Sequence, residues 1–307
     1  MTRPADVSPA LGAPAAERAA ALLAAELAQA LPPGLYIVAT PIGNLGDITL
    51  RALATLARAD LIYCEDTRHS RTLLAHFAIT RPLRAYHEHN AERERPRLIA
   101  ELKAGRAVAL ISDAGTPLIS DPGYKLVRAT LAAGIRVTSL PGASALTAAL
   151  SSSGLATDTV LFAGFLPPKQ NARRARLAEL AATPATLVLF EAPSRLAASL
   201  ADIAEAVPER PAAVARELTK LHEEVRTGLA HELAQWAALA APRGEMVIVI
   251  GPPAAATVPD AAIAAHLRSL LERMSVRDAA KATAEALHVS KARAYQLALT
   301  LKKNEGR

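Results

Sequence analysis

The stretch Gly34-Leu-Tyr-Ile-Val-Ala39 decides the fold class, because it is apolar at successive positions and runs directly into a loop that contains two glycines. Similar apolar runs recur along the chain and alternate with segments of helical period. The runs cover residues 61–64, 107–111, 135–138, 160–162, 186–190, 212–215 and 246–250. Strands that are apolar on both faces and alternate with helices are typical of mostly parallel sheets covered by helices. The sequence therefore predicts an α/β fold.

Two linkers divide the chain into parts. Small residues at 151–157 indicate a boundary between two lobes, and the prolines at 252–259 cannot continue a helix or a strand. We therefore predict four parts, which are a flexible extension with one short helix (1–33), two α/β lobes with mostly parallel sheets (34–152 and 153–252), and a small helical module (260–307).

Composition and charge narrow the class of protein. A chain of 307 residues that is 51% hydrophobic is not wholly disordered and has room for about two domains. The net charge is +6, and nine Lys or Arg against four acidic residues between His266 and Arg307 account for five of these charges. Such a local excess suits a polyanionic partner. The single cysteine, Cys64, excludes an internal disulfide and favours a reducing cytoplasm, and no apolar run is long enough to span a membrane.

The loops that follow the predicted strands hold the candidate chemistry, because open α/β sheets bind ligands at the carboxyl ends of their strands. In the first loop, residues 40–49, two glycines let the backbone approach a ligand closely. The glycine spacing there matches neither the dinucleotide-binding motif nor the phosphate-binding motif. The loops at 65–69, 112–124 and 140–144 follow other strands in the same way. We therefore expect four loops to converge on one edge.

The loop at 112–124 is the most distinctive of the four. It contains two proline turns in succession, together with Asp113 and Asp121. Proline restricts the backbone and aspartate supplies hydrogen-bond acceptors, so the composition of this loop predicts a stiff, preformed pocket. The alternative for Asp121 is that it caps the helix that follows.

Eight strings in succession resemble one known family. They are VATPIGNLGDIT, CEDTRHSRTLL, SDAGTPLISDPGYKLVR, SLPGASALTAALSSSGL, FAGFLPPK, FEAPSRL, ARELTKLHEE and GEMVIVI. In these strings the chain is similar to the bacterial 16S ribosomal RNA cytidine 2′-O-methyltransferases of the tetrapyrrole methylase superfamily. The resemblance implies a cleft for S-adenosylmethionine between two α/β lobes, and a homodimer. It also implies methylation of a decoding-centre cytidine ribose, with 16S ribosomal RNA or the small ribosomal subunit as partner.

By this resemblance, backbone and small side chains hold the cofactor. The implied positions are Pro41, Gly43, Asp113, Ala114, Ile119, Ser144, Ala145, Phe190, Ala215, Gly244 and Met246. Adenine requires an apolar slot with a few hydrogen bonds, which such positions supply. The sulfonium methyl is already activated, so the enzyme needs mainly to align the ribose hydroxyl and to exclude water. No metal is required, and His87 with His89 alone would form a poor metal site.

Charged residues at the strand ends are candidates for handling the acceptor, because the hydroxyl proton must leave. Glu191, Arg195, Glu217 and Lys220 are assigned to catalysis, while Glu65 and Asp66 are further candidate bases. Arg68 and Arg216 are assigned to RNA binding, since one guanidinium group can donate to two oxygens of a phosphate at once. The residues alone do not identify a single general base.

The module at 260–307 resembles a helix-turn-helix. Its pattern predicts helices over 260–274, 276–287 and 290–302, with Ser290 as the N-cap of the last helix and Val289 filling the turn. The basic excess suits a phosphate backbone, and Lys291 with Arg293 are the expected RNA contacts. A packing or dimerisation bundle is the alternative.

Two other functions stay open at this point. A tetrapyrrole methyltransferase would share the fold but would have no evident use for the basic module. A ligand-sensing regulator that binds nucleic acid would use the module but would leave the strand-end loops without a catalytic purpose. The leading prediction is therefore a cytoplasmic RNA ribose methyltransferase.

Overall fold

The computed structural model describes residues 12–121, 123–254, 258–287 and 289–305. Residues 1–11 of the predicted extension, 255–257 of the proline-rich linker, Pro122, and 288, 306 and 307 of the module lie outside the described residues. The chain divides into two units, Met1–Pro253 and Ala254–Arg307.

The first lobe contains a parallel sheet of five strands. The strands are β1 (Gly34–Val38), β2 (Leu61–Cys64), β3 (Leu83–Ala85), β4 (Ala107–Leu110) and β5 (Val137–Leu140). They lie in the order β3-β2-β4-β1-β5, and every neighbouring pair is parallel. Its helices are α2 (Leu50–Arg58), α3 (Thr67–His76), α4 (Ala91–Lys103), α5 (Tyr124–Ala132) and α6 (Ala145–Ser153). Apolar side chains pack on both faces of this sheet, as predicted.

The described part of the N-terminal extension contains one helix, α1 (Ala13–Leu27), which packs on α2. The Arg58 guanidinium donates to the Gln29 carbonyl at 2.8 Å and lies 3.3 Å from the Glu26 carboxylate. The Tyr36 hydroxyl donates to the Pro32 carbonyl at 2.7 Å. These bonds connect the end of α1 and the segment after it to the first lobe.

The second lobe contains a mixed sheet. Its strands are β6 (Val160–Phe165), β7 (Thr186–Glu191), β8 (Pro211–Arg216), β9 (Glu224–Leu229) and β10 (Met246–Ile250), in the order β6-β7-β10-β8-β9. Only β6 and β7 are parallel, so the prediction of a mostly parallel sheet is wrong for this lobe. The reason is that β10 inserts between β7 and β8 in the opposite direction, while β8 and β9 form a hairpin. An apolar run indicates burial on both faces, whichever way its strand points.

One face of the second sheet is covered by α7 (Gln170–Ala181), α8 (Leu196–Ala206) and α9 (Ala230–Ala240), and α6 packs on the other face. A buried ion network joins α7 to α8. The carboxylate of Asp202, which is 1% exposed, accepts hydrogen bonds from Arg173 at 2.7 Å and from Arg174 at 2.8 Å. Burial acts to raise the pKa of Asp202, but the hydrogen bonds from Arg174 and Arg173 outweigh it, and the pKa lies below its usual range.

The second unit is a bundle of three helices, α10 (Asp260–Leu271), α11 (Val276–Ala286) and α12 (Lys291–Glu305). Small side chains on α11 and α12, including Ala280 and Ala294, pack against Ile263 and Leu267 of α10. The Ser290 hydroxyl accepts the N–H of Arg293 at 3.2 Å, and Val289 packs on the core of the unit. The predicted cap and turn are thus confirmed. No described helix of either unit is long and apolar enough to cross a membrane.

Candidate active site

A cavity of about 390 Å³ lies at the carboxyl ends of strands of the first lobe and against the second lobe. Loops after β2, β4 and β5 form one side, and residues at the ends of β6, β7 and β10 form the other. We call it the cofactor cavity. The predicted cofactor positions that line it are Asp113, Ala114, Ile119, Ser144, Ala145, Phe190, Gly244 and Met246, and the predicted catalytic Glu191 lines it too.

Three predicted cofactor positions do not line the cavity. Pro41 and Gly43 flank Ile42, which does line it, and the loop is fixed by two backbone hydrogen bonds between Thr40 and Gly115, at 2.9 and 3.0 Å. Ala215 is buried in the core of the second lobe, where it packs near α6. The sequence correctly places the loops but does not say which residue of each loop faces inward.

The two sides of the cofactor cavity differ in character. The rings of Phe165 and Phe190 lie with centroids 5.7 Å apart on the side of the second lobe. Three carboxylates, those of Glu65, Asp113 and Asp121, lie on the side of the first lobe. An apolar slot faced by carboxylates suits a ligand that combines an aromatic group with positive charge.

Two of these carboxylates, Glu65 and Asp121, are held in an environment that favours their neutral forms. Burial, with the nearby Asp113, raises the pKa of Glu65. Burial raises the pKa of Asp121 to about 6, and the Glu65 and Asp113 charges add to this, while a hydrogen bond with Ser112 opposes it. Gly123 is the N-cap of α5, so the alternative that Asp121 caps this helix is wrong.

The loop that carries Asp121 is strained. Leu118 and Ser120 have φ values of 76° and 64°, a left-handed conformation that is costly for residues with a Cβ. Such strain persists only where the surrounding structure over-determines it, which is common at ligand sites. The stiffness expected from the prolines of this loop thus has a second source in its backbone.

Glu191 is fully engaged by other groups. Its side chain is 0% exposed and lies 2.5 Å from the Arg195 guanidinium. It also accepts hydrogen bonds from the Ser199 hydroxyl at 2.5 Å and from the Ala192 N–H at 2.7 Å. Arg195 donates in addition to the Leu166 carbonyl and does not line the cavity. This arrangement fixes the turn after β7, which forms a wall of the cavity, and leaves Glu191 without a free position for a substrate proton.

Glu217 and Lys220 lie behind the cavity wall. The Glu217 carboxylate accepts the Glu245 N–H at 2.9 Å and the Lys220 ammonium at 2.9 Å, and these two bonds lower its pKa. Lys220 also lies 3.2 Å from the Glu245 carboxylate. Both residues therefore hold the Gly244–Met246 turn, whose inner surface lines the cavity. The backbone at Glu217 and Thr219 is left-handed, with φ values of 49° and 67°.

Two glycines contact this pair so closely that no side chain fits. A Cβ on Gly43 would lie 2.3 Å from Lys220 Cγ, and one on Gly244 would lie 2.2 Å from Glu217 Oε1. Gly43 belongs to the first lobe, and Lys220 to the second. The first loop and the Gly244–Met246 turn thus meet through the Glu217–Lys220 pair.

We expect Gly244→Ala to weaken cofactor binding about tenfold or more, because the turn must move and lose one or two hydrogen bonds, each worth about 1 kcal/mol. Gly134→Ala is the matched control, since Gly134 also has a positive φ, of 70°, but has open space around it. Titration calorimetry with the methyl donor measures both. Equal affinity in the two variants would show that the turn does not shape the cavity.

The residues assigned to RNA are dispersed. Arg68 pairs with Asp66 at 2.7 Å and lines a different cavity, together with His87 and His89. Arg216 has a buried Nε with no hydrogen-bond partner among the described residues. Arg293 is 2.6 Å from Asp260 and donates to the Val258 carbonyl, so it joins two helices of its unit, whereas Lys291 is exposed. Within the described ranges, no group of three or more His, Cys, Asp or Glu side chains has an arrangement that could hold a metal ion.

The sequence interpretation missed Ile42, Phe165 and the inward position of Asp121. Phe165 is the last residue of β6 and lies in the string FAGFLPPK. Its position at the end of a predicted strand could have marked it as a residue of the cavity. The environment of Asp121 depends on its burial and on Glu65, which belongs to another loop, so no local sequence pattern contains it.

Comparison with known proteins defines the class of this fold and cleft. Residues 34–234 match the family described as Tetrapyrrole (Corrin/Porphyrin) Methylases. Residues 257–302 match the RsmI C-terminal HTH domain, which agrees with the helix-turn-helix prediction. The fold also resembles a crystal structure of uroporphyrin-III-C-methyltransferase from Thermus thermophilus, with a TM-score of 0.53 and 25% identity over 71% of this chain and 94% of that one. The fold and cleft are those of a tetrapyrrole methylase.

Two relatives narrow this class. The chain is 53% identical over 281 residues, 91% of this chain and 96% of the relative, to ribosomal RNA small subunit methyltransferase I of Mesorhizobium japonicum. It is 48% identical over 271 residues, 86% of this chain and 96% of the relative, to the protein of the same name from Pseudomonas aeruginosa. The chain belongs to the ribosomal RNA small subunit methyltransferase I family of tetrapyrrole methylases.

S-adenosylmethionine is the methyl donor of this class, and the residues of the cofactor cavity fit it. The apolar side, with Phe165 and Phe190, offers a slot for adenine. The carboxylates of the opposite side, including Asp113, offer partners for the cationic sulfonium and amino groups.

Proposed function

We propose that the chain methylates the 2′-hydroxyl of a cytidine in the decoding centre of 16S ribosomal RNA, in the cytoplasm and as a homodimer. The observation that carries this proposal is similarity to small-subunit ribosomal RNA methyltransferases over about nine-tenths of the chain, both units included. A tetrapyrrole acceptor is less well supported, because that function would leave the helix-turn-helix unit without a partner.

The chain's own residues must align the hydroxyl, exclude water and accept a proton. Bound S-adenosylmethionine supplies an activated methyl group, so no strong nucleophile is needed on the protein. Asp121 is the carboxylate best suited to take the 2′-hydroxyl proton, because it lines the cofactor cavity and its pKa of about 6 lies near neutral pH. Glu65, on the same wall, is the alternative acceptor of that proton.

This assignment changes the roles proposed for the charged residues at the second lobe. Glu191, Arg195, Glu217 and Lys220 become positioning residues, because each bonds to a turn or strand end that shapes the cofactor cavity. Their loss would then lower cofactor affinity and stability together, and would not act on proton transfer alone.

The decisive experiment is methylation with labelled S-adenosylmethionine. Undermethylated 16S ribosomal RNA and undermethylated small subunits are incubated in parallel, followed by nuclease mapping of the label. Label on a decoding-centre cytidine ribose supports the proposal, and comparison of the two samples identifies the preferred form of substrate. Label on a base, or on no RNA, would overturn the 2′-hydroxyl assignment.

We expect removal of residues 254–307 to leave cofactor affinity intact, because the cofactor cavity lies wholly within the first unit. The same deletion should raise the KM for ribosomal RNA and make it less sensitive to salt. The slope of log affinity against log salt concentration should become shallower by roughly 0.7 for each single-strand phosphate that the second unit neutralises. The measurement is initial rate against RNA concentration at several salt concentrations. An unchanged KM and slope would favour the alternative that these helices pack or dimerise.

A further inference from the structure

A second cavity, of about 470 Å³, shares part of its wall with the cofactor cavity. The shared residues are Glu65, Ser120 and Asp121. We call this second space the tyrosine cavity, since Tyr86 and Tyr124 line it. A molecule in the tyrosine cavity would therefore reach the same carboxylates that face the methyl donor.

The rest of the lining is amphipathic. Tyr124 is the first residue of α5 and is 66% exposed, with the Arg128 guanidinium 5.7 Å from its ring centroid. An exposed aromatic ring at the side of a cavity offers a face for stacking. Tyr86, in contrast, is buried and packs its ring edgewise on Tyr63 at 6.2 Å.

The charges of the tyrosine cavity are unfavourable for a phosphate. Its two cations, Arg95 and Lys125, are both paired with Glu92, Lys125 at 3.1 Å. Glu65, Glu88 and Asp121 also line the cavity, and no further Lys or Arg of the lining is available to pair with their carboxylates. These oxygens are acceptors, so the cavity disfavours an anion and suits a group rich in hydroxyl and amino donors.

We infer that the tyrosine cavity binds the unstacked acceptor nucleoside of an RNA, with the base on Tyr124 and the ribose hydroxyls at the shared wall. Unpaired RNA bases are recognised by stacking on aromatic rings, and carboxylates accept hydrogen bonds from the amino group of cytosine. The inference rests on the proposed function, and it assigns the substrate site of that reaction. The flanking phosphates then lie outside this cavity.

The test uses the full chain with Tyr124→Ala, Tyr124→Phe and a control, Leu131→Ala. Leu131 lies on the same helix, is 58% exposed and lines neither cavity. We expect Tyr124→Ala to raise the KM for undermethylated ribosomal RNA about tenfold or more, because the base no longer has a ring to stack on. Leu131→Ala should keep the wild-type KM, and Tyr124→Phe, which keeps the ring, should raise the KM far less than Tyr124→Ala does. Calorimetric affinity for S-adenosylmethionine should be unchanged in all three.

A second readout does not depend on turnover. A fluorescent cytidine analogue at the methylated position of a short RNA should be quenched on binding to the wild-type chain and to Tyr124→Phe, and not on binding to Tyr124→Ala. Wild-type KM and quenching in Tyr124→Ala, while ribosomal RNA is still methylated, would overturn the tyrosine cavity as the acceptor site and leave the proposed function standing. A wild-type chain that labels no RNA would overturn both.

Discussion

The Asp121→Asn chain is expected to lose turnover by about 10²- to 10⁴-fold, the usual contribution of a positioned general base. Asparagine keeps the size of the side chain but cannot take up a proton from the acceptor hydroxyl. Cofactor affinity should change far less than turnover, since Asp113 and Glu65 still face the cavity. Single-turnover rates and calorimetry measure the two effects separately. Full turnover in Asp121→Asn would exclude this carboxylate as the base.

Asp121 should also make turnover depend on pH. Because the pKa of Asp121 is raised to about 6, the carboxyl is protonated and inactive below that pH, and turnover should rise as the pH increases through it. The charged groups near it are Asp113 on its own loop, Glu65 on the loop after β2, and Glu88, Glu92, Arg95 and Lys125 in the lining of the tyrosine cavity.

Glu65→Gln is the matched variant for this pH dependence. Removing a like charge should lower the pKa of Asp121 and shift the rise in turnover to lower pH, with turnover retained. If Glu65→Gln abolishes turnover while Asp121→Asn keeps the pH-dependent rise, Glu65 is the proton acceptor instead.

Asp202→Ala is expected to destabilise the fold by about 3–5 kcal/mol, because it leaves a buried guanidinium without its partner. Arg173 is 5% exposed and has its Nε bonded to Asp202. Glu205→Ala is the control, since Glu205 pairs with Arg174 at the surface, where such a pair contributes less than about 1 kcal/mol. Urea unfolding measures both.

The destabilisation should also depend on pH. The pKa of Asp202 is lowered by folding, so its contribution is present above the usual aspartate pKa and is lost as the pH falls through the lowered value. The difference between wild type and Asp202→Ala should therefore shrink in acid. Equal unfolding free energies of Asp202→Ala and Glu205→Ala at neutral pH would contradict the role of the buried network.

The sequence was sufficient for the α/β class and for the loops that meet at the cofactor cavity, because apolar runs and turn residues are local signals. It was not sufficient for the sheet of the second lobe. β9 reads Glu-Val-Arg-Thr-Gly-Leu, with polar residues on an edge strand, and therefore gave no apolar run. Strand direction depends on which strand inserts between which others, and β10 inserts antiparallel between β7 and β8.

The roles of the charged residues were likewise not predictable from the sequence. Glu191 follows a buried strand, as a candidate base would, but Ser199 and Arg195 on the next helical segment occupy its oxygens. Asp121 has the sequence position of a helix cap, yet the helix begins after Gly123. Both environments depend in part on groups that only the fold brings close, which are Ser199 for Glu191 and Glu65 for Asp121.

The contact of Gly43 with the Lys220 side chain also bears on how the protein unfolds. One wall of the cofactor cavity belongs to each lobe, and the two are joined where a glycine of the first packs against a lysine of the second. A ligand that needs both walls binds only when both lobes are folded, so its binding free energy adds to the stability of each. The two lobes should therefore melt in a single cooperative transition, and S-adenosylmethionine should raise the temperature of that transition without splitting it.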